Sequence, residues 1–523
     1  MVEIKTLLSF SRTIYIRKTF LVSVILILSS NLFSQSVRQD NRENRRVELI
    51  HADIYTPGNE MGREFGRFLG NVAFRHKEVI LTCDSAYFYQ DKNQVRAFSN
   101  VHIAQGDTLD VFGNYLFYDG TREQALVEGN VELIDKETHL FTRAVEYDVA
   151  NRIAHYDQNG KITNGENTLY SRSGIYFVNE KMFHFKDSIR IINPDYIMTA
   201  DTMDYNTETE TVFFDGPSEL NGDSLYLYCE KGWYDTKNDI SRIWQNAVID
   251  NKQQTITGDS LYYEEQSGFG QAFRNITITD TTNDVIVKGD YAVYHKDPEQ
   301  FFVTKKAMFI QISGNDSLFL HADTISAVTK SDTAGKSFRL MRAYHSCRIF
   351  SYDLQSKCDS LSYSFQDSVI RMYYEPVLWS EENQLSSDSV AIFTRNRQAD
   401  RMELYNSAFV TSFVDSSRYN QIKGRDLIGY FVNNKLYKIV IEGNGESIYY
   451  LVDQDELIGV THNKSSSIVI YIDKGKIISI YEYQNPEGVL DPPLLNPPDT
   501  QKLPGFMWLD TIRPKKVSDI FKN

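Results

Sequence analysis

Hydrophobic and polar positions alternate along most of the chain, and the alternation recurs with a fixed period. Seven tyrosines follow one another at intervals of 29 residues, at Tyr89, Tyr118, Tyr147, Tyr176, Tyr205, Tyr234 and Tyr263. A fixed period of this size is typical of repeat architectures, in which each unit is one supersecondary element stacked on its neighbours. The pattern therefore predicts one elongated stack of similar repeats.

Each repeat carries a strand-like phrase that ends at its tyrosine. Successive side chains of a strand point to opposite faces, so the tyrosine and the residue two positions before it share a face. We predict that both columns face inward. The inward positions singled out in this way are Tyr87, Tyr89, Leu116, Tyr118, Val145, Tyr147, Met203, Tyr205, Leu261 and Tyr263.

A second alternating segment follows the tyrosine in most repeats, usually directly after an asparagine or serine that favours a turn or bend. The first inward residues of four such segments are Val101, Val131, Ile189 and Ile276. One repeat thus supplies two strands, one to each of two facing layers. The predicted fold class is all-β, and a content of 33 Tyr and 31 Phe with only 12 Pro agrees with it.

Composition and motifs limit the chemistry. The net charge of −15 argues against binding to nucleic acid through bulk electrostatics. Metal-type Cys/His spacings are absent from the sequence, so we expect no metal and no cofactor. Gly-Asp-Ser-Leu at 222–225 and 258–261 matches a serine esterase signature, yet none of the ten histidines follows an aspartate by three residues. The phrase is a variant of the repeat, and we predict that the protein is not an enzyme.

The four cysteines offer one candidate disulfide. Cys83 and Cys229 occupy similar places in repeats five apart, which separates them by ~24 Å at ~4.8 Å for each rung. Cys347 and Cys358 are close enough in the chain to face each other across a hairpin. Whether these two form a disulfide stays open at the level of sequence.

The chain divides into five predicted parts. Residues 1–35 are an export signal with a basic start and an apolar run too short to span a bilayer; its removal or retention as an anchor stays open. A polar arm covers 36–46. Two β-repeat domains follow at 47–328 and 341–484, joined by a polar hinge or loop. Residues 485–523 form a Pro-rich extended tail, whose end docks on the body or on a partner.

The passage CDSAYFYQDKNQVRAFSNVHIAQGDTLDVFGNYLFYDG at 83–120 resembles the organic-solvent-tolerance-like (OstA-like) family, related to the periplasmic lipopolysaccharide-transport component LptA. The end of the chain, with Gly505-Phe506-Met507-Trp508 and Arg513-Pro514, resembles the long form of the Bacteroidetes group. The resemblance implies a β-jelly-roll whose two sheets meet in a V-shaped groove that holds lipid acyl chains. It also implies a periplasmic place near the outer membrane, end-to-end pairing of edge strands with other transport components or a second copy, and no catalytic residues.

Two interpretations of the inward columns stay open. They form either a closed core between two sheets or an apolar groove lined by the residues named above. Gly174 and Gly232 remove bulk from an inward column and favour the groove. The function we predict is transport of lipopolysaccharide or another lipid toward the outer membrane. The alternatives are an exported β-solenoid scaffold or adhesin and a β-helix enzyme acting on polysaccharide.

Overall fold

The computed structural model describes residues 46–60, 63–106, 109–223, 225–313, 316–395, 398–415, 417–454, 456–492 and 501–522. The predicted export signal and the polar arm up to residue 45 lie outside the described residues. The described residues contain 36 strands and two short 3-10 helices, without an α-helix among them. The prediction of an all-β fold is confirmed, and the architecture is that of an elongated repeat β-jelly-roll.

The strands of the first half are β1 (Glu48–His51), β2 (Ile54–Glu60), β3 (Arg63–His76), β4 (Val79–Tyr89), β5 (Gln94–Gln105), β6 (Leu109–Asp119), β7 (Gln124–Asp135), β8 (Thr138–Asp148), β9 (Ile153–Tyr156), β10 (Gly160–Asn164), β11 (Asn167–Ser171), β12 (Ser173–Phe177), β13 (Met182–Ile192), β14 (Tyr196–Asn206), β15 (Thr211–Gly222), β16 (Tyr226–Asp235), β17 (Ile240–Asp250), β18 (Gln254–Glu264) and β19 (Phe269–Asp280). The second half contains β20 (Val285–His295), β21 (Gln300–Ser313), β22 (Asp316–Ser331), β23 (Ser337–Phe350), β24 (Gln355–Ser364), β25 (Val369–Tyr373), β26 (Val377–Ser380), β27 (Asn383–Ser386), β28 (Ser389–Arg395), β29 (Gln398–Tyr405), β30 (Ala408–Phe413), β31 (Tyr419–Gly424), β32 (Asp426–Val432), β33 (Lys435–Asp453), β34 (Glu456–Asp473), β35 (Lys476–Tyr483) and β36 (Glu487–Asp491). The 3-10 helices are η1 (Asp510–Ile512) and η2 (Val517–Phe521).

Most long strands pair antiparallel with the next strand in the chain and bend near their middle. The register shifts there, and in β5 the bend residues Ser99 and Asn100 have φ of 60° and 46°. The bend folds each strand back on itself. Leu109 and Tyr118 lie near opposite ends of β6. His76 belongs to the row of paired residues that runs from β3 across the sheet to Leu109, yet its Nδ1 is 2.6 Å from the Tyr118 hydroxyl. The strands therefore form two facing layers: layer A contains the halves with the repeated tyrosines, and layer B contains the other halves.

The bends explain the acidic residue of the repeated phrase. Asn100 in the bend of β5 donates its side-chain amide to Asp84 at 2.8 Å, and Asn275 in β19 donates to Asp259 at 3.0 Å. An asparagine tolerates the left-handed backbone that the bend needs, and the carboxylate across from it satisfies its amide. The Gly-Asp-Ser-Leu phrase at 258–261 is thus part of a strand bend.

The register of β4 corrects the predicted face of two tyrosines. Val95 in β5 lies opposite Phe88 on one side and Tyr118 on the other, so Phe88 occupies the Tyr118 column. Tyr87 and Tyr89 instead lie on the other face of β4, where both rings contact Phe65 at centroid distances of 5.0 and 5.6 Å and Tyr89 is still only 8% exposed. The first two tyrosines are 29 residues apart in the sequence. Strand pairing, however, places Phe88 and Tyr118, which are 30 residues apart, in the same column, so Tyr89 falls on the other face.

The sheet and the core continue past residue 328. β22 and β23 pair as far as Ser331 and Ser337, so the predicted hinge at 329–340 consists of two strand ends and the turn between them. One apolar cluster contains residues from Val47 to Ile472. The two predicted repeat domains are therefore joined by a continuous ladder.

Residues 501–522, here called the C-terminal strap, dock back onto the outer face of layer B. Gln421 and Gln384 each bind the strap backbone through both ends of the side-chain amide: Gln421 bonds residues 501 and 503, and Gln384 bonds residues 507 and 509, at 2.7–2.9 Å. Arg513 donates to Gln355 at 2.8 Å. The three glutamines lie in one outer column that runs from β24 to β31. The side-chain amides of Gln421 and Gln384 each donate to a backbone carbonyl of the strap and accept from a backbone N–H, as the backbone of a neighbouring strand would.

Candidate functional site

The inner surface between the two layers is closed from β4 to β15, a stretch here called the sealed section. Leu116, Val145 and Met203 have 0% of their surface exposed. Their neighbours in layer B, Val101, Val131 and Ile189, are buried in the same cluster. In this section the inward columns pack against each other as a core.

Gly174 supports this closed packing. A Cβ added at Gly174 would lie 2.6 Å from the hydroxyl oxygen of Tyr156, and one added at Gly232 would lie 2.8 Å from the carbonyl oxygen of Arg242. Neighbouring atoms already occupy the space that the missing side chains leave. The two glycines therefore accommodate close contacts, and the argument that they widen a groove is not supported at these positions.

Tyrosine hydroxyls form hydrogen bonds between the two layers along one edge. This edge, here called the rim, contains the hairpin turns and lies opposite the bends. The tyrosines in layer A are Tyr118, Tyr147, Tyr176 and Tyr205, and their partners in layer B are His76, Gln105, Asp135 and Asn164. Each partner precedes its tyrosine by 41 or 42 residues. This separation is longer than the 29-residue repeat. It cannot be interpreted from the sequence alone, because it is the bend of each strand that brings the two residues together.

The bond between Tyr176 and Asp135 is the most deeply buried charged contact of the rim. Asp135 is 3% exposed and accepts bonds from the Tyr176 hydroxyl and from Lys181 Nζ, both at 2.6 Å. Removing one donor from a buried carboxylate leaves part of its desolvation uncompensated.

We expect Tyr176→Phe to lower the free energy of unfolding by about 1–3 kcal/mol, because Asp135 stays buried with one donor fewer. Urea denaturation of the purified chain measures this difference. Tyr170→Phe, at an exposed tyrosine of β11, is the matched control and should change stability by less than about 0.5 kcal/mol. Equal effects of the two substitutions would contradict a role for the rim bond.

The rim tyrosines also predict how stability depends on pH. Burial raises the pKa of Tyr118, Tyr147, Tyr176 and Tyr205 far above the ordinary value of 10.0, so each keeps its proton longer in the folded state. The unfolded chain then binds fewer protons above pH 10, and the free energy of unfolding must fall as the pH rises, by up to about 1.4 kcal/mol per pH unit for each fully buried tyrosine. Urea denaturation between pH 8 and pH 12 measures this fall, with tyrosinate absorbance at 295 nm following unfolding. Constant stability up to pH 12 would contradict it.

The rim changes character after Tyr205. The Tyr234 hydroxyl donates to Asp239 of its own layer at 2.9 Å, and the ring of Tyr196 in layer B lies 6.5 Å from the Tyr234 ring between centroids. At the next repeat, the position 41 residues before Tyr263 is Gly222, which pairs with Tyr196 in the ladder and has no side chain to offer as a partner. Among the described residues, the series of cross-layer tyrosine bonds therefore ends at Tyr205.

From β17 to β21, here called the open section, inward apolar side chains are partly exposed. Leu261 and Ile276 beside the bends are still buried, and so is Val287, which lies between Ile278 and Phe309 in the ladder. Nearer the rim, the partly exposed set is Ile249, Ile256, Ile278, Val285, Phe301 and Phe309. The inward columns of layer A in this section contain the small residues Gly270, Ala272 and Ala292 between larger ones such as Leu261 and Val303, which reduces the bulk between the layers.

The described inward side chains of the open section are mostly apolar, and ion pairs lie on its layer A turns. On the layer A turns, Lys296 pairs with Glu265 at 3.2 Å and Arg339 pairs with Glu299 at 3.0 Å. The described part of the chain contains no His/Cys/Asp/Glu group that could hold a metal ion. None of its helices is long and apolar enough to cross a membrane. The arrangement suits an apolar ligand held by packing.

Comparison with known proteins agrees with this geometry. The family model described as OstA-like protein matches residues 44–201 and 205–310, which is half of the chain and includes the sealed section and nearly all of the open section. Comparison with curated proteins gives no match. The family is in general one of lipopolysaccharide or lipid transport and binding, with β-groove folds and without enzymatic activity. On the basis of this match, the chain belongs to the OstA-like protein family.

Proposed function

We propose that the protein binds lipopolysaccharide or another outer-membrane lipid, with the acyl chains lying between the layers of the open section. The observation that carries the proposal is the contrast in exposure along the same inward columns. Leu133 in the sealed section is fully buried, whereas Ile278, which occupies the corresponding place in β19, is partly exposed. Each acyl methylene buried there contributes ~0.8 kcal/mol, so a lipid is held without charge pairing.

The ends of the ladder suit a protein that works beside others. Among the described strands, β1 and β2 pair only with β3, and β35 and β36 pair only with β34. Leu49, Tyr55, Ile478 and Leu490 on these strands are exposed apolar residues. Unpaired edges invite addition of a strand from another chain. Edge pairing with another transport component or with a second copy is therefore part of the proposal, as is a periplasmic place reached through the predicted export signal.

Photo-crosslinking in cells tests the proposal. A benzophenone amino acid is placed at Ile278, at its outward neighbour Thr277, and at Leu133 in the sealed section. We expect lipopolysaccharide adducts at Ile278 and none at the other two positions, as read by immunoblot and mass spectrometry of the purified protein. Circular dichroism of each variant checks that the fold is retained. No adduct at Ile278 in a folded variant would overturn the proposal and favour an exported scaffold.

A further inference from the structure

Two of the four cysteines face each other directly across a pair of strands. Cys347 in β23 and Cys358 in β24 are opposite partners in the antiparallel ladder. Both are thiols inside the core, with 0% and 3% of their surface exposed. Cys83 and Cys229 are also buried, but the residues opposite them are Val72 and Ser218. Geometry thus separates the cysteines into one matched pair and two single thiols.

We propose that Cys347 and Cys358 are a modification site, where a structural disulfide forms by exchange with a disulfide donor. Opposite residues of an antiparallel pair have Cα atoms about 4.5–5.5 Å apart, which lies within the range of about 4.4–6.8 Å found across disulfides. Directly opposite residues of an antiparallel ladder point to the same face of the sheet, so both side chains lie on the buried inner face. The spacing of the paired strands is therefore compatible with a disulfide.

The exchange proceeds in two balanced steps. The thiolate of one cysteine attacks the donor disulfide, forms a mixed disulfide and releases one donor thiolate. The thiolate of the second cysteine then attacks the mixed disulfide, forms the Cys347–Cys358 bond and releases the second donor thiolate. The two cysteines lose two electrons, the donor gains them, and the two thiol protons leave to solvent or to the released donor thiolates.

The burial of the pair sets when this reaction takes place. The hydrogen bond with Cys358 and burial raise the pKa of Cys347, so the thiolate that must attack is disfavoured in the folded core. A donor also has no access to side chains so little exposed. The exchange therefore belongs to folding, before β24 closes on β23, and the finished bond is then protected from reductants.

The location gives the bond a structural purpose. The ladder between β23 and β24 shifts register between Tyr344 and Cys347, and the bend residues His345 and Ser346 both have left-handed φ. A covalent link at the first rung after this interruption fixes the two strands where the backbone pairing is interrupted. The pair also lies beyond residue 310, where the match to the family model ends.

Refolding of the full chain tests the inference. The reduced, unfolded protein is refolded in a mixture of oxidised and reduced glutathione, and thiols are then counted by maleimide labelling under denaturing conditions. We expect the count to fall from four to two, with Cys347 and Cys358 in one linked peptide by mass spectrometry. The oxidised protein should melt about 3 °C above the reduced one, because the link restricts the unfolded chain.

Matched variants separate the pair from the single thiols. The double variant Cys83→Ser/Cys229→Ser should lose both of its remaining thiols on refolding. The double variant Cys347→Ser/Cys358→Ser should keep both. Four thiols in the refolded wild-type chain, or links that involve Cys83 or Cys229 as often as Cys347, would overturn the inference, and the wild-type measurement does not depend on the variants folding.

Discussion

Replacing Val145 by aspartate will lower the free energy of unfolding by more than about 4 kcal/mol, since it places an unpaired carboxyl group in a closed core. Val145 is fully buried on the inner face of β8 and lies opposite Val127 of β7. The new side chain has no cation within this apolar column to compensate its charge. Urea denaturation of the purified variant measures the loss, and poor yield of folded protein is the accompanying expectation.

The matched substitution in the open section is Ile278→Asp. Ile278 also lies on the inner face, but it is partly exposed and its carboxylate can be hydrated. We expect a loss of about 1–2 kcal/mol, together with loss of lipid crosslinking at neighbouring inward positions such as Ile256. If both aspartate variants lose the same stability, the sealed and open sections do not differ in solution and the proposed place of the lipid is wrong.

Replacing Trp379 by alanine is the second change with a large expected effect. Trp379 is fully buried between layer B and the C-terminal strap, and its indole Nε1 donates to Gln384 at 3.2 Å. Its loss leaves a large cavity and frees the glutamine that bonds the strap at residues 507 and 509. We expect the free energy of unfolding to fall by about 3–5 kcal/mol and the strap to become sensitive to protease.

Trp233→Ala is the control for this variant. Trp233 lies on the outer face of β16, partly exposed and far from the strap in the ladder. It should lose less than about 2 kcal/mol and leave the strap resistant to protease. A strap that stays resistant in Trp379→Ala, with stability unchanged, would mean that the glutamine bonds alone hold it.

The repeat, the all-β class and the family follow from local properties of the chain. Apolar residues two positions apart indicate strands, because side chains alternate along a strand whatever its neighbours. The Asn or Ser before each second segment marks the bends correctly, as Asn100 and Asn275 show. These features depend on residues close together in sequence, so the sequence is sufficient to predict them.

Faces and registers were predicted less well. Tyr87 and Tyr89 share the spacing of the other tyrosines but do not face inward, because one additional residue in the register of β4 shifts the whole phrase to the other face. The end of the tail was expected to dock on the body or on a partner, but its position over β24 to β31 depends on glutamines 80 to 158 residues earlier in the chain. Contacts at such separations leave no local signature.

The sequence by itself determined that this protein is a stack of two-strand repeats with an apolar inner face, because those properties are set by residue spacing within a repeat. Only the tertiary structure decided where that face is closed. The Tyr176 hydroxyl donates to Asp135 across the layers, 41 residues earlier in the chain, whereas the residue 41 positions before Tyr263 is Gly222. The difference depends on which residues the bends bring together, since a tyrosine hydroxyl closes the rim only where the opposite layer offers a partner.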